Sequence, residues 1–106
     1  MGTSTEILTT FFGKLTITGI PYTVQSCFAS DAYDLYADRL LKTASIAFVV
    51  DPKNKIVFIK TSNTCEVNAG KLAAKLFEGG GVSRMGIGKL NETLIKLSKT
   101  FTEGNK

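Results

Sequence analysis

The chain has 106 residues, 43% of them hydrophobic, a formal net charge of +4, and neither histidine nor tryptophan. That length suits one domain with a single core. The lack of histidine excludes a histidine metal site, a serine–histidine or cysteine–histidine nucleophile, and the usual neutral-pH proton shuttle. No apolar run approaches the roughly 20 residues of a membrane span, and no signal peptide is recognisable, so we expect a cytoplasmic protein. Cys27 and Cys65 match no zinc spacing and are expected to be unpaired, buried thiols.

The first part of the chain predicts an arm, a strand and a helix. Residues 4–12 are interpreted as a short helix or an N-terminal arm, and Leu15 to Val24 as a strand whose Pro21 marks an edge or a bulge. Ser30 is expected to cap a helix over residues 31–42. Apolar residues at helical spacing define the buried face of that helix: Tyr33, Tyr36, Ala37, Leu40 and Leu41. Asp34 and Asp38 lie off this face, and we expect them to be solvated rather than to bind a metal.

The rest of the chain predicts a hairpin, two further helices and another strand. The apolar run Ile46–Val50 indicates a central strand that turns at residues 51–54 and returns as Ile56–Ile59. Helices over 68–78 and 92–101 follow, with a strand near 85–90 between them and Asn91 as the cap of the last helix. Residues 103–106 are expected to fray. The predicted fold class is α+β, a mixed α/β sandwich in one domain, with helices packed on a sheet of about four or five strands.

Basic residues and glycines are concentrated in the second half of the chain. Up to Pro52, three basic residues stand against five acidic ones, whereas from Lys53 onward ten stand against four. This asymmetry favours an anionic partner, although a solubilising surface has the same composition. Gly79 is placed to end the preceding helix in a left-handed cap. The glycines that follow exceed what a cap needs, which indicates close approach of the backbone to a ligand or to another backbone.

Two common phosphate-binding patterns do not fit the glycine run. A Walker loop requires Gly, four residues, then Gly-Lys-Ser/Thr. Here Ser83 replaces the first glycine, and Leu90 follows Gly88 and Lys89. The dinucleotide pattern requires a third glycine where Arg84 stands. The chain is therefore expected to be neither a P-loop nucleotidase nor a standard dinucleotide binder.

The order of elements and the glycine run resemble the C-terminal DHH-associated domain of the DHH phosphoesterases, which also occurs in RecJ-type exonucleases and in alanyl-tRNA synthetase. The resemblance covers about residues 14–101. It rests on the strand end at Lys60–Ser62, on Val67 and Leu72 in the following helix, and on the ten residues Gly79–Gly88. Ser83 stands where this family has histidine, Thr61 stands where it has arginine, and Gly86 and Ile87 replace two alanines. The resemblance implies that the glycine run contacts nucleic acid or a nucleotide phosphate.

These observations predict a stand-alone nucleic-acid-binding module. It is expected to have no catalytic residue, metal or cofactor, because the 106 residues hold no counterpart of the catalytic DHH domain. Single-stranded DNA or RNA is favoured over duplex as the partner. The predicted binding residues are Lys60, Ser62, Gly79, Gly80, Gly81, Ser83, Arg84, Gly86, Gly88 and Lys89.

Two other classes stay open at this point. The first is a non-catalytic interaction or scaffold module that has lost its ligand and binds a protein such as a nuclease or replication factor, or a second copy of itself. The second is a small-molecule phosphate binder or enzyme. It ranks last because the sequence shows no acid, base or metal set.

Overall fold

The computed structural model describes residues 12–94, which form one mixed sheet with helices on both faces. The sheet has six strands in the order β1-β2-β3-β4-β6-β5, in which β2 and β3 are parallel and all other neighbours are antiparallel. The predicted α+β class is confirmed. In chain order the elements are β1 Phe12–Ile17, β2 Ile20–Phe28, α1 Tyr33–Leu40, β3 Ile46–Asp51, β4 Ile56–Thr61, α2 Ala69–Phe77, β5 Gly80–Gly81 and β6 Met85–Lys89, followed by helical residues 92–94.

The predicted central hairpin is confirmed as β3 and β4. Every residue of β3 is buried, because the strand lies between β2 and β4 and is covered on both faces. In the antiparallel register Val49 lies opposite Phe58, and Asp51 lies opposite Ile56 next to the turn. A continuous apolar run is typical of a strand in this position.

The prediction of a single strand from Leu15 to Val24 is wrong, because the chain reverses within it. Thr18 and Gly19 both adopt positive φ, at 51° and 83°, and join β1 to β2 in a two-residue turn. Two left-handed residues in succession give the turn whose twist matches a hairpin. Thr18 is an unusual residue for the first of these positions, which explains why the turn escaped sequence analysis.

The prediction that Ser30 caps the first helix is also wrong. Strand pairing continues as far as Ala29, whose N–H donates to the Val50 carbonyl at 3.0 Å. Helix α1 therefore starts only at Tyr33, and its N-cap residue is Ala32, at φ 50°, with no side-chain cap. The predicted apolar face of this helix is confirmed, since its members pack against the sheet around Ala47, Val49 and Phe58.

Side-chain alternation along the strands builds one core on each face of the sheet. On the α1 side, the rings of Tyr33 and Phe58 stack at 5.9 Å. On the α2 side, Phe48 and Phe77 meet edge to face at 5.7 Å. Cys27 packs against the first core and the other free thiol, Cys65, against the second, so the sheet separates them.

Some predictions concern residues outside the described range. The arm before Phe12, most of the helix over 92–101 and the fraying tail at 103–106 belong to these. The start of the last helix is described, and the side chain of Asn91 accepts the N–H of Thr93 at 3.0 Å, as expected for a cap. Within residues 12–94 no helix is long and apolar enough to cross a membrane.

Candidate functional site

The glycine-rich segment is a tight β-hairpin packed on α2. Gly80 and Gly81 form β5, which pairs with the first half of β6 so that Gly80 lies opposite Ile87 and Gly81 opposite Gly86. The intervening turn is closed by a hydrogen bond from the Val82 N–H to the Met85 carbonyl at 2.8 Å. The glycine run was expected to be a loop near a ligand or another backbone, and its pairing as two strands was not predicted.

The turn of this hairpin satisfies the first backbone groups of α2. The N–H groups of Ala69 and Gly70 donate to the carbonyls of Ser83 and Val82, both at 2.8 Å. The side chain of Asn68 accepts the next helical N–H at 2.9 Å. Free N–H groups at a helix start form a ready anion site, but here these donors are already engaged within the protein.

Gly86 and Gly88 allow α2 to pack directly on β6. A β-carbon built at Gly86 would lie 2.6 Å from the Ala69 carbonyl oxygen. One built at Gly88 would lie 2.4 Å from the β-carbon of Phe77. Both glycines are buried, so the lack of a side chain at each position serves the contact between the helix and the strand and not a ligand.

Gly79 and Gly81 are required where the chain passes close to β6. The left-handed residue that ends α2 is Glu78, at φ 54°, and not Gly79 as predicted. A β-carbon at Gly79 would lie 1.8 Å from the Ile87 carbonyl oxygen, which explains the glycine at that position. Gly81 has φ 154°, and its β-carbon would lie 2.2 Å from the Met85 carbonyl oxygen.

Gly80 differs from the other glycines of the hairpin. A β-carbon built there meets no atom within 4 Å, and its φ is not in the left-handed region. Because residues directly opposite in an antiparallel pair point to the same face, a side chain at Gly80 would stand beside Ile87. Neither packing nor backbone conformation within the described residues requires glycine there.

Arg84 is an exposed basic residue in the turn of the hairpin. Its carbonyl accepts the Thr61 N–H at 3.0 Å, which fixes the turn against the end of β4. Its guanidinium donates to Oδ1 of Asn63 at 2.5 Å. Asn63 is neutral, and in residues 12–94 the ion pairs of 4 Å or less all involve Lys60. The charge of Arg84 is therefore oriented but not neutralised by a described neighbour.

Hydroxyl groups surround a shallow cavity beside the segment that follows β4. The hydroxyls of Ser62 and Thr64 lie 3.4 Å apart in the segment that follows β4. The cavity beside them has a volume of about 280 Å³. Its other lining residues come from β2 and from the chain between α1 and β3: Thr23, Leu41, Lys42, Thr43, Ala44 and Ser45. We call Ser62, Asn63, Thr64, Ser83 and Arg84 the Arg84 corner.

Lys60 lies on the α1 face of the sheet and not in this corner. Its Nζ contacts Asp34 at 2.5 Å and Asp38 at 2.7 Å, and only 19% of its side chain is exposed. Desolvation would lower the pKa of Lys60, but the hydrogen bonds that its Nζ donates to the two carboxylates outweigh this effect and raise that pKa. Asp34 and Asp38, predicted to be merely solvated, tie α1 to β4.

Lys89 lies at the opposite end of β6 from Arg84. Five strand residues, Met85 to Lys89, span about 13 Å, and Lys89 pairs with Ile56 next to the β3–β4 turn. The structure thus brings together Ser62, Ser83 and Arg84 from the predicted set. It separates them from Lys60 and Lys89 and assigns most of the glycines to packing.

The two residues that complete the corner, Asn63 and Thr64, were not predicted from the sequence. Asn63 holds the guanidinium, and Thr64 faces Ser62. The polar run over 61–64, directly after a buried strand, was the signal that could have indicated them. The cavity wall formed by Thr23, Thr43 and Ser45 comes from distant parts of the chain, so no local pattern pointed to it.

The corner offers hydrogen-bond donors and one positive charge, but no group suited to acid–base chemistry. In the part of the chain that the structure describes, no three His, Cys, Asp or Glu side chains lie close enough together to hold a metal ion. Its residues can bind an anion through a forked guanidinium, an amide and hydroxyls.

Comparison with known proteins gives a fold likeness but no family. No protein-family model matches the chain, and no curated protein matches it. A solved structure of an uncharacterized protein from Helicobacter pylori G27 is similar, with a TM-score of 0.60 and 16% sequence identity over 87% of this chain. An exopolyphosphatase-related protein from Bacteroides fragilis aligns with a TM-score of 0.47 and 12% identity over 77% of this chain.

The likeness to the Helicobacter pylori protein shows that the arrangement of strands and helices recurs. This chain spans 28% of the length of each of the two solved chains. At 16% identity the likeness concerns the fold alone, and the likeness to the Bacteroides fragilis protein is too low to support an argument.

Proposed function

We propose that this domain binds single-stranded nucleic acid through its phosphate backbone, with the Arg84 corner as the anchor. The observation that carries the proposal is that the guanidinium of Arg84 donates to a neutral amide at 2.5 Å, so that its positive charge is not neutralised by this contact. A planar guanidinium donates two parallel hydrogen bonds to a phosphate, which makes arginine well suited to this contact.

The neighbouring side chains supply the other groups that such a ligand needs. Ser62 and Thr64 present hydroxyls beside Asn63, and Lys42 adds a positive charge at the adjoining cavity. About half to two-thirds of protein–DNA hydrogen bonds go to phosphate and sugar, and the side chains of Arg, Lys, Ser, Thr and Asn are among the donors. The excess of basic residues after Lys53 favours an anionic partner in the same way.

The resemblance to the DHH-associated domain supports the same proposal. Of the residues that carry it, Ser83 and Arg84 lie in the Arg84 corner, directly beside the end of β4 at Thr61. In the resembling family this motif contacts the ligand. In this proposal Arg84 supplies the positive charge that an arginine supplies in the family, because Thr61 stands at the family's arginine position and is buried.

The test is a fluorescence anisotropy titration with labelled oligothymidylate, oligouridylate and duplex DNA at two salt concentrations. Replacing Arg84 with Ala should weaken binding of the single strands at low salt by about 1–2 kcal/mol, the scale of a charge-assisted hydrogen bond. Arg84→Lys should recover only part of this, because the point charge returns without the fork.

Lys53→Ala is the matched control. Lys53 is an exposed cation in the turn between β3 and β4, at the end of β4 remote from the Arg84 corner. Its loss removes the same charge and should change binding much less than Arg84→Ala. Equal effects of the two substitutions would mean that only net charge matters, and the corner would not be the site.

A second candidate, the non-catalytic interaction module, is favoured by a different feature. An apolar cavity of about 620 Å³ lies between the β1–β2 hairpin and α2, lined among others by Leu15, Ile17 and Leu76, with Lys71 and Lys75 at its rim. Cavities of this size and character bind ligands or side chains of partners. A stable complex with another protein, formed without any affinity for nucleic acid, would support this candidate over the first.

A further inference from the structure

The apolar cavity between the β1–β2 hairpin and α2 adjoins the core on the α2 side of the sheet. Leu15, Ile17 and Leu76 line this cavity of about 620 Å³ and also pack against that core. Leu72 lines it as well and is 7% exposed. We call the cavity the β1–α2 groove. An apolar side chain placed in it would extend the core, because burial of such a wall away from water is favourable.

The last described residues bring the chain to the end of α2 that borders the groove. The side chain of Asn91 donates to the carbonyl of Leu76 at 3.2 Å, and Leu76 lines the groove. Three residues later, Leu94 is 1% exposed and belongs to the same core. The chain therefore continues beyond residue 94 from a point inside this core.

The sequence after residue 94 has an apolar spacing that suits the groove. In a helix continued beyond Leu94, Leu97 and Phe101 recur three and seven positions later and share its face. Lys96 and Lys99 fall on the opposite face of such a helix. Because the side chain of Leu94 is buried in the core, the same face directs the two following apolar side chains towards that core.

The length of this segment also matches the groove. Seven residues of helix, from 94 to 101, span about 10 Å. Asn68 and Leu76 are the ends of the wall that α2 contributes, and they lie about 12 Å apart along the helix. Residues 1–11 also lie outside the described range, but they join β1 at Phe12, which is 52% exposed. The buried position of Leu94 therefore favours the segment that follows it.

We propose that the β1–α2 groove is the docking site of the chain's own residues 95–101, with Leu97 and Phe101 in the groove and the two lysines towards solvent. The strand register places the β1–β2 turn at the end of the sheet where α2 begins. A segment that starts beside Leu76 and runs antiparallel to α2 thus brings Phe101 to Ile17. A partner protein would reach the apolar wall only by displacing this segment, and binding at the Arg84 corner does not require it.

Tryptophan fluorescence of the full chain tests the site, because the protein contains no tryptophan of its own. The indole of Phe101→Trp should emit at shorter wavelength, and be quenched less by acrylamide, than the indole of the matched control Thr100→Trp. Adding Ile17→Asp to Phe101→Trp puts a charge in the groove and should shift the emission to longer wavelength. Adding Leu35→Asp, at a 53% exposed position on α1, should leave the emission unchanged.

Urea unfolding gives a second measurement that needs no tryptophan. Leu97→Ala should raise the equilibrium constant for unfolding at least about thirtyfold, the low end of the range for a buried leucine. Lys96→Ala is the matched control on the opposite face and should change that constant by less than about twofold. Where Ile17→Asp unfolds the chain, Ile17→Ala takes its place in the fluorescence experiment, with a smaller shift in the same direction.

Several results would overturn the proposal. The segment is not docked if the indoles at positions 101 and 100 emit alike, or if Leu97→Ala is as stable as Lys96→Ala. It packs elsewhere if the substitutions at Ile17 leave the emission unchanged. A short-wavelength emission that develops only as the protein concentration rises would place the segment of one copy in the groove of another. Each of these results leaves the proposed function standing, because the effect of Arg84→Ala on nucleic-acid binding is measured separately.

Discussion

Asp51 is a fully buried carboxylate that joins α1 to the β3–β4 turn. It accepts a hydrogen bond from the Tyr33 hydroxyl, and it accepts the N–H and the side-chain amide of Asn54 at 3.0 and 2.7 Å. The Tyr33 hydroxyl, followed by Asn54, holds the pKa of Asp51 below its ordinary value despite burial. Conversely, the hydrogen bond to Asp51 raises the pKa of Tyr33. The pair is stable when the carboxylate is ionised and the phenol protonated.

We predict that this pair stabilises the fold only within a pH window. Because the folded-state pKa of Asp51 is lowered, its contribution is present above pH of about 4 and is lost as pH falls through that lowered value. Because the pKa of Tyr33 is raised, stability also falls as pH rises above about 10. Tyr33→Phe should reduce the free energy of unfolding at neutral pH, and the difference from wild type should vanish in acid.

Urea unfolding across pH measures this difference. Tyr36→Phe is the matched control, because it removes a phenol from the same helix away from Asp51. A gap between wild type and Tyr33→Phe that persists unchanged below the folded-state pKa of Asp51 would contradict the assignment.

Thr61 is a second buried polar residue of interest. Its hydroxyl is buried, and among residues 12–94 it has no hydrogen-bond partner. A buried hydroxyl without a partner costs roughly 1–3 kcal/mol. We therefore expect Thr61→Val, which keeps the shape, to raise the free energy of unfolding by about 1 kcal/mol in urea titrations. A loss of stability instead would reveal a partner for this hydroxyl.

At the scale of elements, α2 packs closely on β6 because Gly86 and Gly88 have no side chains. Gly88→Ala should lower the free energy of unfolding by about 1–3 kcal/mol, the usual effect of overpacking, because the new methyl would press on Phe77. Gly80→Ala is the control within the same hairpin and should change stability by less than about 0.5 kcal/mol. Urea unfolding measures both, and equal effects would refute the packing role of Gly88.

Helix α1 is attached to the sheet partly by charge. Lys60 bridges two carboxylates whose side chains are 65% and 57% exposed. Exposed ion pairs contribute little, about 0–1 kcal/mol, and less at high salt. The apolar face of α1 against Val49 and Phe58 therefore dominates its docking, and the ion pairs mainly orient Lys60 away from the Arg84 corner.

At the scale of the whole molecule, we predict that the pure chain has no metal-dependent phosphodiesterase activity. It contains no histidine, and its described part holds no cluster of three metal-ligating side chains. Activation of water by a metal requires such ligands. The measurement is cleavage of labelled single-stranded DNA with added manganese. Cleavage that disappears when the chain's own Asp34 and Asp38 are replaced by Asn would contradict the prediction.

The sequence by itself determined the elements that rest on periodicity. The continuous run Ile46–Val50 is typical of a strand buried on both faces, and the spacing of Tyr33, Ala37 and Leu40 is typical of one helical face, as the structure shows. These patterns are local, because a strand repeats every two residues and a helix every 3.6. The α+β class, the central hairpin and α2 followed from them, and so did the polar, basic character around Arg84.

Only the tertiary structure decided what the glycines and the cations do. Gly86 and Gly88 have no room for side chains because Ala69 and Phe77, respectively, lie against them. These contacts exist only once α2 has folded back on β6. Lys60 and Arg84 carry the same charge. The pleat of β4 directs Lys60 towards two carboxylates, whereas the hairpin directs Arg84 towards the side-chain amide of Asn63. Which glycine is free, and which charge remains unneutralised, depends on contacts between residues far apart in the chain, and such contacts leave no local pattern.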